Sequence, residues 1–303
     1  MSKLKDYTCN YGNGGEHVQE IGKALELTFP AVYTNAKDMA LLAKAILQKS
    51  KSRFCYLPFC HTVEAEALGA DINLGNEYTG PRAKTYTYNR LDELSALPEM
   101  NFLNGRIGQV IEACRILHSE GEYVALEICG PFTILNALMD IRQIIKGWRK
   151  TPKRMIDIFN NIGEQIICYM RESVRAGVTF FCYADPVGGL NILGPKLAEI
   201  VAVNFTIPFL LKSIRALDNK ALIHLCPKTS LIITELGMAE WRDIDLSGTV
   251  SYEEACMEVC GSVGMVGEVC IQSASVPLEN EKIRGIELTE DKHNIGMGAP
   301  VYE

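Results

Sequence analysis

Short apolar segments that stop at turn residues, separated by helix-length amphipathic stretches, recur between residues 54 and 270. Residues 54–57 (FCYL), 123–129 (YVALEIC), 178–183 (VTFFCY), 221–226 (ALIHLC) and 263–270 are the strand-length runs, with a shorter one at Ile244 to Leu246. A strand that is apolar along its whole length is buried on both faces, as in a parallel sheet covered by helices. Helical spacing predicts helices after Thr34-Asn35, from Thr133 to about Trp148, from Thr151-Pro152 to about Arg175, between Lys196 and Leu217, and from Tyr252 to Val259. This number of βα units predicts an α/β fold of the (β/α)8 barrel type. The alternation alone also fits an open doubly wound sheet.

No Ser/Gly tract, Pro-rich stretch, charge block or fixed repeat interrupts the chain. One domain over residues 1–303 is therefore expected, with residues 1–50 forming a helical N-terminal layer. The last twenty residues are weakly patterned and are expected to fray. The formal charge of −7 and pI of about 5.4 argue against nucleic acid or an anionic membrane as the main partner. Arg149, Lys150, Lys153 and Arg154 form a local basic cluster that reads as a solvated helix start. The N-terminus has no apolar run of signal-peptide type, and no uninterrupted apolar stretch reaches the roughly 20 residues of a bilayer span. With eleven cysteines and no export signal, a reducing, cytoplasmic location is expected.

Sites in parallel α/β folds lie where strands hand over to the following loops. At one such end, His224 and Cys226 are two residues apart, so an imidazole and a thiol share a side of the strand. Cys270 ends another apolar run, and these three N and S donors suit zinc, a soft divalent ion, with a fourth position free for exchange. A buried His and Cys on a strand are also ordinary core residues. A second strand end opens into Pro58-Phe59-Cys60-His61-Thr62-Val63-Glu64-Ala65-Glu66, where Cys60-His61 is a competing metal pair. A third is Tyr183-Ala184-Asp185-Pro186-Val187-Gly188-Gly189, whose glycines let backbone approach a ligand closely. Glu127-Ile128-Cys129-Gly130-Pro131 is a fourth, less specific one. There is no GxGxxG, P-loop or GxSxG. Cys256 and Cys260, and the isolated His17, His118 and His293, carry no assigned chemistry.

The runs PFCHTVEAEALGADINLG, ICGPFTILNAL, YADPVGG and HLCPKTS together resemble the methylcobamide:thiol methyltransferases, including the coenzyme M enzymes, of the uroporphyrinogen decarboxylase superfamily. The likeness covers roughly residues 30 to 270. It implies a distorted (β/α)8 barrel and methyl transfer from a corrinoid, carried on a separate small corrinoid protein, to a small-molecule acceptor such as a thiol. It also implies zinc held by the HxC, here His224 and Cys226, and by a distant cysteine. The family places that cysteine near the chain end in a Gly-Cys context that this sequence lacks, so Cys270 is the substitute. Asp185, His61 and Glu64 become candidates for orienting acceptor or corrinoid, with Tyr183, Gly188 and Gly189 on the corrinoid side. The reversed direction, a tetrahydrofolate acceptor and a non-catalytic corrinoid-protein-binding subunit are alternatives. The decarboxylase branch is disfavoured because its arginine-rich N-terminal motif is missing.

Overall fold

A computed structural model describes residues 4, 7, 14–50, 52–76, 78–271, 277–278 and 280–289. Helices α1 (Gly14–Ala24) and α2 (Ala36–Ser50) precede the first strand, β1 (Cys55–Leu57). Ile21, Val32, Tyr33 and Leu42 form a small apolar cluster of their own in this N-terminal layer. A short helix α3 (Val63–Ala67) and an antiparallel pair, β2 (Asp71–Asn73) with β3 (Arg82–Thr85), come before α4 (Gly105–Ser119).

β4 (Val124–Cys129) follows, then three helices, α5 (Pro131–Leu138), α6 (Ile141–Lys150) and α7 (Pro152–Arg175). The single helix expected from Thr133 to Trp148 is two, because Asp140 accepts from Arg142 N–H at 2.9 Å and starts a new helix. β5 (Phe180–Ala184) leads into α8 (Leu190–Val201) and α9 (Ile207–Leu217), joined through a π turn at Ala202–Thr206. Gly194, at φ 71°, kinks α8 ahead of Pro195. The run Leu190–Leu217 is long and apolar enough to cross a membrane by length and composition, and half of its most apolar window is buried inside the fold. β6 (Leu222–Leu225), α10 (Pro227–Glu235), β7 (Ala239–Asp245), α11 (Tyr252–Val259), β8 (Met265–Val266) and β9 (Lys282–Leu288) complete the described chain.

The main sheet has the order β1-β4-β5-β6-β8-β9-β7. Every pairing from β1 to β8 is parallel, whereas β9 pairs antiparallel with both β8 and β7. This is the α/β, barrel-type architecture read from the sequence, with its distortion concentrated in the last units. The apolar run from Val263 to Cys270 yields only two strand residues, because Gly267 at φ 159° turns the chain away against Leu225. β9 extends to Leu288, so the first of the last twenty residues are strand; residues 290–303 lie outside the described residues.

Alternation divides the sheet into two faces. Leu126, Phe181, Tyr183, Ile223 and Leu225 join the large core under the helices. Ala125, Phe180, Cys182, Leu222 and Val266 face the other way and pack against Tyr252, Ala255, Cys256 and Val259 of α11. Helix α11 thus fills the inner face where a complete barrel would fill it with strand side chains. It is fixed at both ends of its first turn. Ser251 and Glu254 form a capping box. The buried Glu253 carboxylate accepts from Ser52 Oγ, Arg53 N–H and Tyr56 OH, each at 2.7 Å, tying α11 to the edge strand β1.

Candidate functional site at the strand ends

Register puts the polar residues of the inner face in one row. Glu127 of β4 is the cross-strand partner of Cys182 in β5, and Cys182 is the partner of His224 in β6. Two residues further along each strand, at the C-terminal end of the sheet, come Cys129, Ala184 and Cys226. Below the row, Phe180 and Tyr252 flank His224, the tyrosine ring standing edge-on at 5.9 Å between centroids. The inner face is therefore apolar at depth and carries its imidazoles, thiols and carboxylates at the mouth.

His224 is 1% exposed, and burial pushes its ring down to about 4, so it is neutral at physiological pH. Its Nε2 lies 2.8 Å from the carbonyl oxygen of Val269, the neighbour of Cys270. That bond tethers the loop bearing Cys270 to the end of β6. Cys226 and Cys270 are both half-buried cysteines. One neutral imidazole and two thiols are donors of the kind a soft divalent ion takes. Among the described residues, however, no three His, Cys, Asp or Glu groups are drawn into a metal-holding cluster, and the competing Cys60-His61 pair forms none either.

His61 stands at the other side of the mouth. Its Nδ1 donates to Glu127 Oε1 at 2.9 Å, and the adjacent carboxylate raises its pKa to about 9 against the opposing effect of burial. Cys129 Sγ is 3.7 Å from the same nitrogen. Glu64 is fully enclosed; one oxygen accepts from Cys129 N–H at 2.9 Å and the other has no hydrogen-bond partner. Burial pushes Glu64 up, towards the neutral acid. Arg106 of α4, itself buried, holds this corner together through Glu66 at 2.5 Å and Thr62 Oγ1 at 2.8 Å. Replacing Glu127 with Gln is expected to drop the His61 pKa from about 9 towards the ordinary 6.5, read by NMR titration of the ring protons. An unchanged titration would dismiss the pair.

Asp185 ends β5 with its carboxylate turned into the first turn of α5. It accepts from Phe132 N–H at 3.1 Å, Thr133 N–H at 2.8 Å and Thr133 Oγ1 at 2.7 Å. Burial lifts its pKa to about 6 despite those three donors. Gly130 makes room for it, since a Cβ there would stand 2.4 Å from Asp185 Cβ. Asp185 is thus a helix cap supplied from another strand. Tyr183 projects to the helical side, its ring 5.2 Å from Phe209. With Asp185 and Gly188 it lines a narrow crevice against α8 and α10, away from the inner row. Gly189 caps the start of α8. Cys182, Arg106 and Thr133 were not among the site residues expected, and Glu127, within the fourth strand end, carried no assigned role. Glu127 alone left a clear trace, as a carboxylate inside an otherwise apolar strand.

A barrel-type α/β fold with a polar mouth at the C-terminal ends of its strands defines an enzyme-like scaffold. The uroporphyrinogen decarboxylase (URO-D) family model matches residues 15–277, and the chain belongs to that family. It is 24% identical over 273 residues to the methylcobamide:CoM methyltransferase MtaA of Methanosarcina barkeri, covering 89% of this chain and 78% of that protein. It is 22% identical over 211 residues to the methylcobamide:CoM methyltransferase MtbA of Methanosarcina acetivorans, covering 67% of this chain and 60% of that protein. A solved methyltransferase from Methanosarcina mazei superposes with a TM-score of 0.62 at 24% identity, over 78% of this chain and 68% of that one.

Proposed function

We propose that the chain is a corrinoid-dependent methyltransferase that moves a methyl group from a protein-bound methylcobamide to a small acceptor, a thiol. The observation that carries this reading is the mouth row, Glu127–Cys182–His224, with Cys226 and Cys129 above it. Its relatives named methylcobamide:CoM methyltransferases support the corrinoid and the transfer.

His224, Cys226 and Cys270 are the residues to hold zinc. Bound there, zinc would supply the positive charge that lets a thiol ionise near neutral pH. Engagement of His224 with a metal requires its Nε2 to leave the Val269 carbonyl or its Nδ1 to serve instead. Across the mouth, His61 stays protonated at neutral pH and Glu127 fixes its ring, leaving Nε2–H as a donor to an anionic part of acceptor or corrinoid. Glu64 and Arg106 set the position of that corner. Asp185 acts by holding α5 against the strand ends, and the Gly188-Gly189 turn, closed in by Asp185, Phe132 and Asn191, shapes the rim beside it. The apolar floor of Phe180 and Tyr252 excludes water from the reacting sulfur. In the transfer, the carbon–cobalt bond breaks with its electron pair left on cobalt, a carbon–sulfur bond forms, and the thiol proton leaves to solvent. The cytoplasm, with its reduced thiols, suits this chemistry.

The test is incubation of the purified protein with methylcobalamin and a panel of thiols, following cob(I)alamin absorbance and the methyl thioether by mass spectrometry. One thioether per cob(I)alamin is expected. Turnover with tetrahydrofolate and none with any thiol would move the acceptor to the alternative. No demethylation with either would remove the reading.

A further inference from the structure

Lys146, Arg149 and Lys150 lie at spacings of three and four on α6, which puts them on one helix face. Lys153 follows in the first turn of α7. All four are exposed, and among the described residues none of them forms an ion pair, although the chain carries −7 overall. Asp157 lies one turn on, and Arg154 is among the charges that hold the Asp92 carboxyl down. Neither α6 nor α7 has an acid in its first turn. A helix N-terminus is electropositive, so Lys153 and Arg154 at the start of α7 oppose the helix that carries them. A solvated helix start would place acids there, and this one places cations.

Helix α7 ends where β5 begins, so its first turn and the α6–α7 corner lie toward the C-terminal ends of the strands. Trp148 of α6 packs edge-on to Phe159 at 5.0 Å, and Phe159 packs on Phe132 at 4.8 Å. Phe132 N–H in turn bonds Asp185 at the mouth. We propose that the α6–α7 corner is the docking surface for an acidic face of the protein that delivers the methyl-corrinoid; this rests on the methyl-transfer reading. A compact acidic patch can engage four clustered cations while the rest of this acidic chain repels extended polyanions.

The experiment uses the full chain and a K146E/R149E/K150E/K153E variant, with K146Q/R149Q/K150Q/K153Q as a milder second. A purified corrinoid protein loaded with methylcobamide is the probe, and free methylcobalamin is the control substrate. Wild type is expected to bind the corrinoid protein in fluorescence titration, about tenfold or more weaker in 0.3 M than in 0.05 M salt. Charge reversal is expected to weaken that binding at least tenfold and leave turnover of free methylcobalamin unchanged. K153E alone is expected to raise the thermal midpoint. No binding by wild type, or equal binding by the variants, would overturn the proposal. So would patch-dependent binding of single-stranded DNA or phosphatidylserine vesicles in place of the protein. Loss of free-methylcobalamin turnover in wild type would instead strike the methyl-transfer reading, since the binding titration does not depend on it.

Discussion

Cys226→Ala is expected to lower thiol methylation by at least a hundredfold, with His224→Ala close behind. In the proposed site each removes one of three protein donors, and a thiol at neutral pH is a few per cent thiolate or less without the cation. Ionisation and positioning together are each worth factors of ten to a thousand. The loss should fall on kcat more than on corrinoid KM, because neither residue lies at the α6–α7 corner. The two substitutions should not add, since removing either donor dismantles the same unit. Steady-state rates with saturating thiol and methylcobalamin check this. A variant that keeps more than a tenth of the wild-type rate would show that the sulfur is not held where proposed.

Asp185→Ala is the largest expected effect on stability. It strands two amide donors and a hydroxyl of α5 in a buried place, and each such group costs on the order of 1–3 kcal/mol. Incomplete compensation by shifted neighbours brings the expected loss to roughly 2–4 kcal/mol by denaturant titration. Gly130→Ala should act in the same direction by driving a methyl group into Asp185. The pH dependence has a definite sign. The folded pKa of about 6 exceeds the ordinary 3.8, so the folded state holds the proton more tightly. Stability from this group is full below about 4 and declines as pH rises to about 6. Asp185→Asn keeps an acceptor for α5 and should flatten that slope. Wild-type stability from Asp185→Ala, or a slope of opposite sign, would contradict the capping role.

The strand ends were legible because each strand stops at a residue with backbone reasons to stop, such as Pro58, Gly130 or Pro227. His61, Glu64, His224, Cys226 and Asp185 therefore came into view as the residues beside those stops. Their partners did not. Asp185 meets amides 52 and 53 positions away, and no local pattern records that three donors of α5 point at it. Arg106 stands in no motif of the sequence, and only burial against Glu66 and Thr62 gives it a role. Most of the antiparallel β7–β9 ribbon escaped for another reason, only Ile244 and Asp245 of β7 falling in a run read as strand. Its residues alternate polar and apolar, and the exposed face of β7 reads as loop. The break at Asp140 was hidden by apolar residues that continue on both sides of it.

Zinc-edge X-ray absorption on the purified protein, paired with metal content, tests the convergence of His224, Cys226 and Cys270 most directly. The account predicts one zinc per chain with two sulfur neighbours at about 2.3 Å and at least one nitrogen at about 2.0 Å. Cys226→Ala and Cys270→Ala should each remove one sulfur or the metal altogether. A spectrum with no sulfur neighbours, or one unchanged by both substitutions, would contradict it.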